Sequence, residues 1–346
     1  MERSSWAVAM EMLAENRDLN ESMCRELMEE ILSGLHSQEE IAAFLTLHTA
    51  KGGTASEVTG FIEAMYAHAA PITLDVRAVD TVGTGGDGFH TVNISTASAI
   101  VAAAAGATVI KHGNRAATSQ SGAADVLEAL NIKIDLDGTQ VTNLVHELGI
   151  GFCFAPMFHS AMRHAAPARK SLSFPTIFNI LGPLSNPAKP SAYSIGVAKA
   201  EMFPIVAEVL RTRNVDALVF RGNEGLDEIS LSGATSVYLI GKGRSRLVEI
   251  DPLLWGIERN PLETLRGGDA QQNARHLRNI LSGDSGPMRD VVLLNAAATL
   301  IAFEGIIPEE EVAPRFATAI AKVSEAIDSG RAAELLDRWA IRSHQV

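Results

Sequence analysis

The sequence predicts an α/β fold in two parts: a small N-terminal helical domain, then a large α/β domain around a mostly parallel central sheet. Three observations predict it. The first 70 residues carry helix caps and apolar stripes at helical spacing. After residue 75, short apolar runs alternate with helical stretches, the pattern of a parallel sheet. At 346 residues the chain exceeds what one small core usually organises.

The elements follow in order. Ser37-Gln38-Glu39-Glu40 and Thr54-Ala55-Ser56-Glu57 are capping boxes. Ile41, Phe44 and Leu45 follow the first, and Val58, Phe61, Ile62 and Met65 the second, each as one apolar stripe. Met23, Leu27, Ile31 and Leu32 make a third, closed by Gly34. About four short helices bury little alone, so residues 1–70 should pack on the rest of the chain or on a second copy. Pro71 to Asp75 reads as a linker, and 71–346 as the α/β domain. Strands are expected at Val76–Val82, Thr108–Lys111, Lys133–Leu136, Gly151–Phe154, Ala192–Val197 and Ala217–Phe220. Helices are expected between them at Thr96–Ala105, Ala123–Leu130, Thr139–Leu148 and Glu201–Arg213. Ser236–Ile250 reads as a hairpin around Gly241-Lys242-Gly243. Helices near Asp269–Leu281, Arg289–Phe303 and Glu309–Ile327 complete the chain.

Composition narrows the function. The net charge of -12, with 41 acidic against 29 basic side chains, opposes a nucleic-acid partner. No apolar run approaches the roughly 20 residues of a membrane helix, and the start lacks a signal-peptide pattern. Cys24 and Cys153 lie far apart and form no disulfide framework, which points to the cytoplasm.

The chemistry is densest between Asp80 and Gly122. A strand ends in Asp80-Thr81-Val82, and Gly83-Thr84-Gly85-Gly86-Asp87-Gly88 follows. Four glycines in six residues let backbone N–H groups converge on an anion; a plain glycine-rich turn has the same composition. No Gly-Lys-Ser/Thr follows, so it is not a Walker loop, and the spacing does not suit a dinucleotide fingerprint. Asn93-Ile94-Ser95-Thr96 opens an alanine-rich helix whose N-terminus favours phosphate. Ser95 and Thr96 either cap it or touch ligand or metal. Lys111-His112-Gly113-Asn114-Arg115 ends the next strand, and Lys111 and Arg115 supply charge for phosphate or simply face solvent. Ser119 and Gly122 continue that segment. Asp227-Glu228, after a strand and a Gly222-Asn223-Glu224-Gly225 turn, suits magnesium shared with substrate oxygens, or is a pair of surface acids. Phe154-Ala155-Pro156, His159, Arg169-Lys170 and Phe178–Leu184 mix apolar surface with one carboxylate ligand, Arg169, which would suit a flat aromatic acid.

Taken in order, these words resemble the anthranilate phosphoribosyltransferases of tryptophan synthesis. The resemblance spans about Asn20 to Ile327. It rests on Asp80-Thr-Val-Gly-Thr-Gly-Gly-Asp87, Asn93-Ile-Ser-Thr96, Lys111-His-Gly-Asn-Arg115, Ser121-Gly-Ala-Ala-Asp125, Phe154-Ala-Pro156, Thr176-Ile-Phe-Asn-Ile-Leu-Gly-Pro-Leu-Ser-Asn-Pro187 and Gly225-Leu-Asp-Glu-Ile229. It implies the fold shared with pyrimidine nucleoside phosphorylases, a homodimer formed through the helical domain, and a helical connection near 160–185. It implies transfer of the phosphoribosyl group from phosphoribosyl pyrophosphate to the amine of anthranilate. By position, Gly83, Gly86, Asp87, Asn93, Ser95, Thr96, Lys111 and Ser119 would bind phosphoribosyl pyrophosphate. Two magnesium ions would be held, one by Ser95 and Glu228, the other by Asp227 and Glu228. Gly83, His112, Asn114, Ala155, Pro156, His159, Arg169 and Gly182 would take anthranilate, Arg169 pairing its carboxylate. Lys111, Asp227 and Glu228 would be the catalytic groups. This chain departs from many members at Arg169-Lys170-Ser171-Leu172-Ser173-Phe174-Pro175-Thr176, where they read Arg-Arg-Glu-Leu-Gly-Ile-Arg-Thr, and His159-Ser160 stands for a frequent His-Pro. Competing readings are a pyrimidine nucleoside phosphorylase-like enzyme, whose glycine loop usually continues to a lysine, and a non-catalytic relative that binds nucleic acid.

Overall fold

A computed structural model describes residues 4–116 and 120–346. The N-terminal helices are α1 (Ser5–Ala14), α2 (Glu21–Leu32), α3 (Gln38–Lys51) and α4 (Ala55–Ala67). Both capping boxes form: Ser37 and Glu40 start α3, and Thr54 and Glu57 start α4. Gly60 lets α2 and α4 touch, since a Cβ there would overlap the Glu21 carbonyl.

One seven-stranded sheet carries the larger part. Its strands are β1 (Val79–Gly83), β2 (Val109–Gly113), β3 (Ile150–Phe154), β4 (Ala192–Gly196), β5 (Asp216–Gly222), β6 (Thr235–Gly241) and β7 (Arg244–Ile250). The order is β3-β2-β1-β4-β5-β6-β7; the first five are parallel and the last two form an antiparallel hairpin. The order reverses between β1 and β4. In open parallel sheets that reversal opens a crevice at the carboxyl ends of the strands.

The helices cover both faces. On one lie α5 (Ile94–Ala104), α6 (Ala123–Ala129), α7 (Gly138–Leu148), α12 (Ala270–Leu281), α13 (Pro287–Glu304), α14 (Val312–Asp328) and α15 (Arg331–Arg342). All of Val291–Ala302 is buried, so α13 is apolar on every side and central to this layer. On the other face lie α10 (Phe178–Leu184) and α11 (Phe203–Thr212), with the N-terminal helices against them. Alternation along the strands sorts the layers: Tyr193, Ile195, Val197, Ala217 and Val219 face the bundle side, Ala192, Leu218 and Phe220 the other. Two short helices, α8 (Ala155–Phe158) and α9 (Ala166–Ser171), connect β3 to α10. α9 docks on α3, where Gln38 donates to His164 O and accepts from Ala168 N.

Two elements differ from the sequence reading. Lys133–Leu136 is not a strand: it is an extended crossing with Ile134 and Leu136 buried, and Lys133 N donates to Ser343 Oγ at 3.0 Å. A short apolar run anchored on a core reads like a strand by periodicity alone. The last helix, α15, was not anticipated; Leu335, Leu336, Trp339 and Ala340 are its buried stripe. The first strand also begins later than expected, because Val76 is exposed.

Candidate active site

The crevice between β1 and β4 is built by glycine. Gly83 pairs with Gly196 across the two strands. A Cβ on Gly83 would overlap the Asp227 carboxylate, and one on Gly196 the Asp227 carbonyl. Both positions are glycine because Asp227 passes over them. Beyond Gly83 the chain turns through Gly85, Gly86 and Gly88 at φ +68°, +78° and +80°, each with open space where a side chain would stand. This is the left-handed region that favours glycine. Gly85 N donates to Asp227 Oδ2 at 2.6 Å, so the loop is tied to the acidic pair.

Below the loop lies a buried cation among acids. Lys111 is 2% exposed. Its Nζ donates to Thr81 O and, at 3.1 Å, to Ser95 Oγ. Asp80 is fully buried; it accepts from His112 N at 3.1 Å and from Asn186 Nδ2 at 2.9 Å, and Asn186 also donates to Ile110 O. Burial pushes Lys111 down, opposed by Asp80, Glu228 and Asp227. Burial lifts Asp80 to about 6 although Lys111 favours its charge. Asp227 is lifted to about 8, by burial first and then by Asp87. Glu228 is raised well above its ordinary value by burial and then by Asp227. One lysine thus faces Asp80, Asp227 and Glu228, with Asp87 acting on the last two. The cluster is short of positive charge, and an added cation would relieve it. Among the described residues no three Asp, Glu, His or Cys side chains form a ready-made metal cage. Asp227 and Glu228 can offer one or two carboxylates to an ion completed by substrate and water oxygens, as magnesium usually is.

The N-terminus of α5 closes this side. Asn93 makes no side-chain cap. Its amide donates to Ser121 O at 3.1 Å and accepts from Asn273 Nδ2 at 2.8 Å, so both ends tether loops. Ser95 is half-buried, and Thr96 Oγ1 is buried without a hydrogen-bond partner. Ser119 lies outside the described residues. Arg115 does not serve the phosphate side: its guanidinium is held by Asp125 and Glu128 and stacks over Phe154 at 5.5 Å. Those two acids, three residues apart on a helix, form a fork that captures it.

The aromatic side gathers His112, His159, Gly182 and Arg169. His112 Nδ1 donates to Gly182 O at 3.0 Å, and His159 Nε2 to Ser185 O at 2.9 Å. The two rings lie 5.2 Å apart. Burial pushes His112 to about 3 and also lowers His159, so both are neutral near pH 7. His112 Nε2 is left as a buried acceptor with no partner. Arg169 stacks on Phe178, 4.9 Å from its centroid and one helical turn from Gly182. It has no carboxylate partner among the described residues, and burial disfavours its charge. A desolvated, unpaired guanidinium is a receptor for a carboxylate. Ala155 is half-buried and Pro156 exposed at the start of α8, which leads to His159. Asn114 stands exposed past β2, its Oδ1 accepting from Arg115 N; no hydrogen bond joins it to the His112 group among the described residues.

Sequence reasoning passed over three asparagines that position this site: Asn186 on Asp80, Asn273 on Asn93, and Asn295, which bonds both N–H and C=O of Ile229 beside Glu228. For Asn295 a signal existed, an amide inside an otherwise apolar helix, which must find partners.

The helical-bundle domain of a glycosyl transferase family matches residues 8–69, and the a/b domain of that family matches residues 75–333. An anthranilate phosphoribosyltransferase of Saccharopolyspora erythraea is 47% identical over 342 residues, covering 99% of this chain and 97% of the relative. One from Acidothermus cellulolyticus is 49% identical over 335 residues, 97% of this chain and 94% of the relative. The crystal structure of the Thermus thermophilus enzyme of that name superposes with a TM-score of 0.89 at 38% identity, covering 97% of this chain and 99% of its own. The Saccharomyces cerevisiae enzyme, solved in complex with PRPP and Mg, gives 0.88 at 28% identity, over 100% and 99%.

Proposed function

This chain belongs to the anthranilate phosphoribosyltransferase family, and from that premise we propose how its own residues divide the work. The enzyme transfers the phosphoribosyl group of phosphoribosyl pyrophosphate to the amine of anthranilate, in tryptophan biosynthesis, and releases pyrophosphate. The observation that carries the assignment of sides is the pairing of one acid-rich, glycine-looped pocket with one half-buried Arg169 that stacks on Phe178 and has no carboxylate partner among the described residues.

Phosphoribosyl pyrophosphate lies against Gly86, Asp87, the α5 N-terminus with Ser95 and Thr96, and Lys111, with Gly83 and Asn93 bordering it; Ser119, outside the described residues, is assigned to it by its position in the family's pattern. Two magnesium ions fit the donor set: Ser95 with Glu228, and Asp227 with Glu228. When bound, they neutralise charge on the pyrophosphate leaving group. Lys111 adds a fixed charge at the same end, held in place by Thr81 O and Ser95 Oγ. Arg169 pairs the anthranilate carboxylate, while His112, His159 and Gly182 border the ring and Asn114, Ala155 and Pro156 the entry. The aryl amine is neutral and attacks the anomeric carbon as the bond to pyrophosphate breaks, so positioning replaces a strong base. The assay is loss of anthranilate fluorescence with phosphoribosyl pyrophosphate. Loss that requires magnesium is expected; no loss at any magnesium level overturns the reading.

The same proposal covers assembly and location. The division into 1–70 and 71–346, joined again through 160–185, makes the first part the dimerisation domain. Apolar side chains remain outside the core of α1 and α3: Ala7, Ala43 and Ala50 are exposed and Val8 is half-exposed, while Met12 and Leu47 pack partly against the bundle's own core. Such a surface supports a homodimer. Cys24 and Cys153 are free and buried, which suits the cytoplasm.

A further inference from the structure

We propose that Asn273 is a positioning residue for the transfer: it keeps the N-terminus of α5 open by holding the Asn93 amide away from its own helix. The inference rests on the function proposed above and gives Asn273 no contact with either substrate. An asparagine just before a helix usually turns its side chain back to cap the first N–H groups. Asn20 does so at α2, where ψ is 163° and its Oδ1 accepts from Met23 N at 2.9 Å. Asn93, in the same place before α5, does not: ψ is 72° and the side chain caps nothing.

A relay of two amides holds it off. Gly268 N donates to Asn273 Oδ1 at 2.8 Å, Asn273 Nδ2 to Asn93 Oδ1 at 2.8 Å, and Asn93 Nδ2 to Ser121 O at 3.1 Å. The relay starts at a backbone N–H, which only donates, and ends at a carbonyl, which only accepts. Both amides therefore have one permitted orientation. Asn273 is 2% exposed, and a buried amide left without its partners is costly. A strap over residues 265–268 brings Asn273 to this place. Leu265 O accepts from Val92 N at 2.9 Å, and Gly267 N donates to His90 O at 2.9 Å. Gly267 lets the strap lie this close: a Cβ there would stand 2.7 Å from Asn273 Oδ1 and 2.9 Å from Thr91 O. His90 stands at φ +55°, a conformation that side chains resist, and the strap holds it there. Strap and relay thus fix the return leg of the glycine loop and the first turn of α5 as one unit.

With Asn93 held off, that turn keeps its N–H groups for other partners: the Ser95 N–H faces Glu228, and the phosphoribosyl end meets the same turn. Without Asn273, Asn93 Oδ1 loses its donor, and the first-turn N–H groups are the donors its position offers. The helix would then cap itself and compete with the substrate for the same hydrogens. Arg169, His112 and His159 share no hydrogen bond with the relay among the described residues, so the loss falls on one substrate.

The test is steady-state kinetics of the full chain, followed by anthranilate fluorescence, with a double-mutant cycle. Asn273→Ala should raise the KM for phosphoribosyl pyrophosphate about tenfold and move that for anthranilate less than about twofold. Asn273→Leu, which keeps a branched side chain without the polar atoms, should do the same. Loss of folded protein alone lowers kcat and leaves both KM values unmoved. In an Asn93→Ala background, which has no amide to cap α5, Asn273→Ala should add less than about twofold. A KM for phosphoribosyl pyrophosphate close to the parent's in both Asn273 variants overturns the positioning role. So does an equal rise for both substrates, or a full additional loss in the Asn93→Ala background. Each of these, with the parent turning over normally, leaves the enzyme assignment intact. A parent that consumes no anthranilate overturns both.

Discussion

Asp227 and Glu228 are held in a state that water would not allow. Burial raises both, with Asp87 adding to it at Asp227 and Asp227 at Glu228, and Lys111 offsets part of the effect at Glu228. Replacing both by alanine leaves Lys111 with Asp80 as its acid partner and removes the two carboxylates proposed for magnesium. Turnover of Asp227→Ala/Glu228→Ala should vanish at every magnesium concentration in the fluorescence assay, and a near-normal rate would remove the metal role. Arg169 predicts a one-sided effect. A charge-assisted hydrogen bond contributes about 1.5–3 kcal/mol, so Arg169→Ala should raise the KM for anthranilate roughly 10- to 100-fold. The KM for phosphoribosyl pyrophosphate should move little; equal changes in steady-state kinetics would refute the carboxylate pairing. These residues are legible in sequence because each is an unusual type in a telling neighbourhood. Asn186 and Asn273 are not, because their partners lie 106 and 180 residues away. Arg115 misleads for the same reason: proximity to Lys111 in sequence says nothing of Asp125 and Glu128 folding back over it.

Among the elements, the α3–α4 corner is tuned by one acid. Glu57 is fully buried. It accepts from Leu19 N at 2.8 Å, Thr54 N at 2.8 Å and Lys51 Nζ at 3.1 Å, with His48 Nε2 at 3.4 Å. Burial opposes its charge, but His48, the Leu19 N–H and Lys51 outweigh it and hold Glu57 at about 2. A depressed carboxyl stabilises the fold above its unfolded value, near 4.5, and loses that stabilisation as pH falls towards 2. About 3 kcal/mol is at stake at neutral pH. Thermal unfolding followed from pH 6 to pH 2 should drop more steeply in the parent than in Glu57→Gln; parallel curves would contradict this. Caps made both helices legible, as the pattern of capping boxes required. The Lys133–Leu136 crossing was misread because a buried coil and a strand bury the same residues, and only pairing distinguishes them.

For the whole molecule, α/β alternation located the parallel strands but not their order, since the reversal between β1 and β4 is a property of crossovers rather than of residues. That reversal places the glycine loop and Asp227 at one crevice. Assembly is testable at this scale. Ala43→Glu with Val8→Glu puts two charges on the solvent side of α1 and α3; light scattering should show a dimer for the parent and a monomer for this variant. A dimer that survives both charges would place the interface elsewhere.

The helical bundle shares its core with parts of the chain made much later. Trp6, Phe44, Phe61 and Met65 belong to one apolar cluster with Phe178, Leu184, Tyr193, Ile195 and Leu210. Leu210 follows the end of α4 by about 140 residues, a gap that takes on the order of ten seconds to synthesise. During translation, then, the first four helices emerge from the ribosome before the surface that will cover them exists. For those seconds the nascent chain carries an unfinished apolar side, open to a holdase chaperone or to a neighbouring nascent chain, and only the arrival of α11 and β4 commits it.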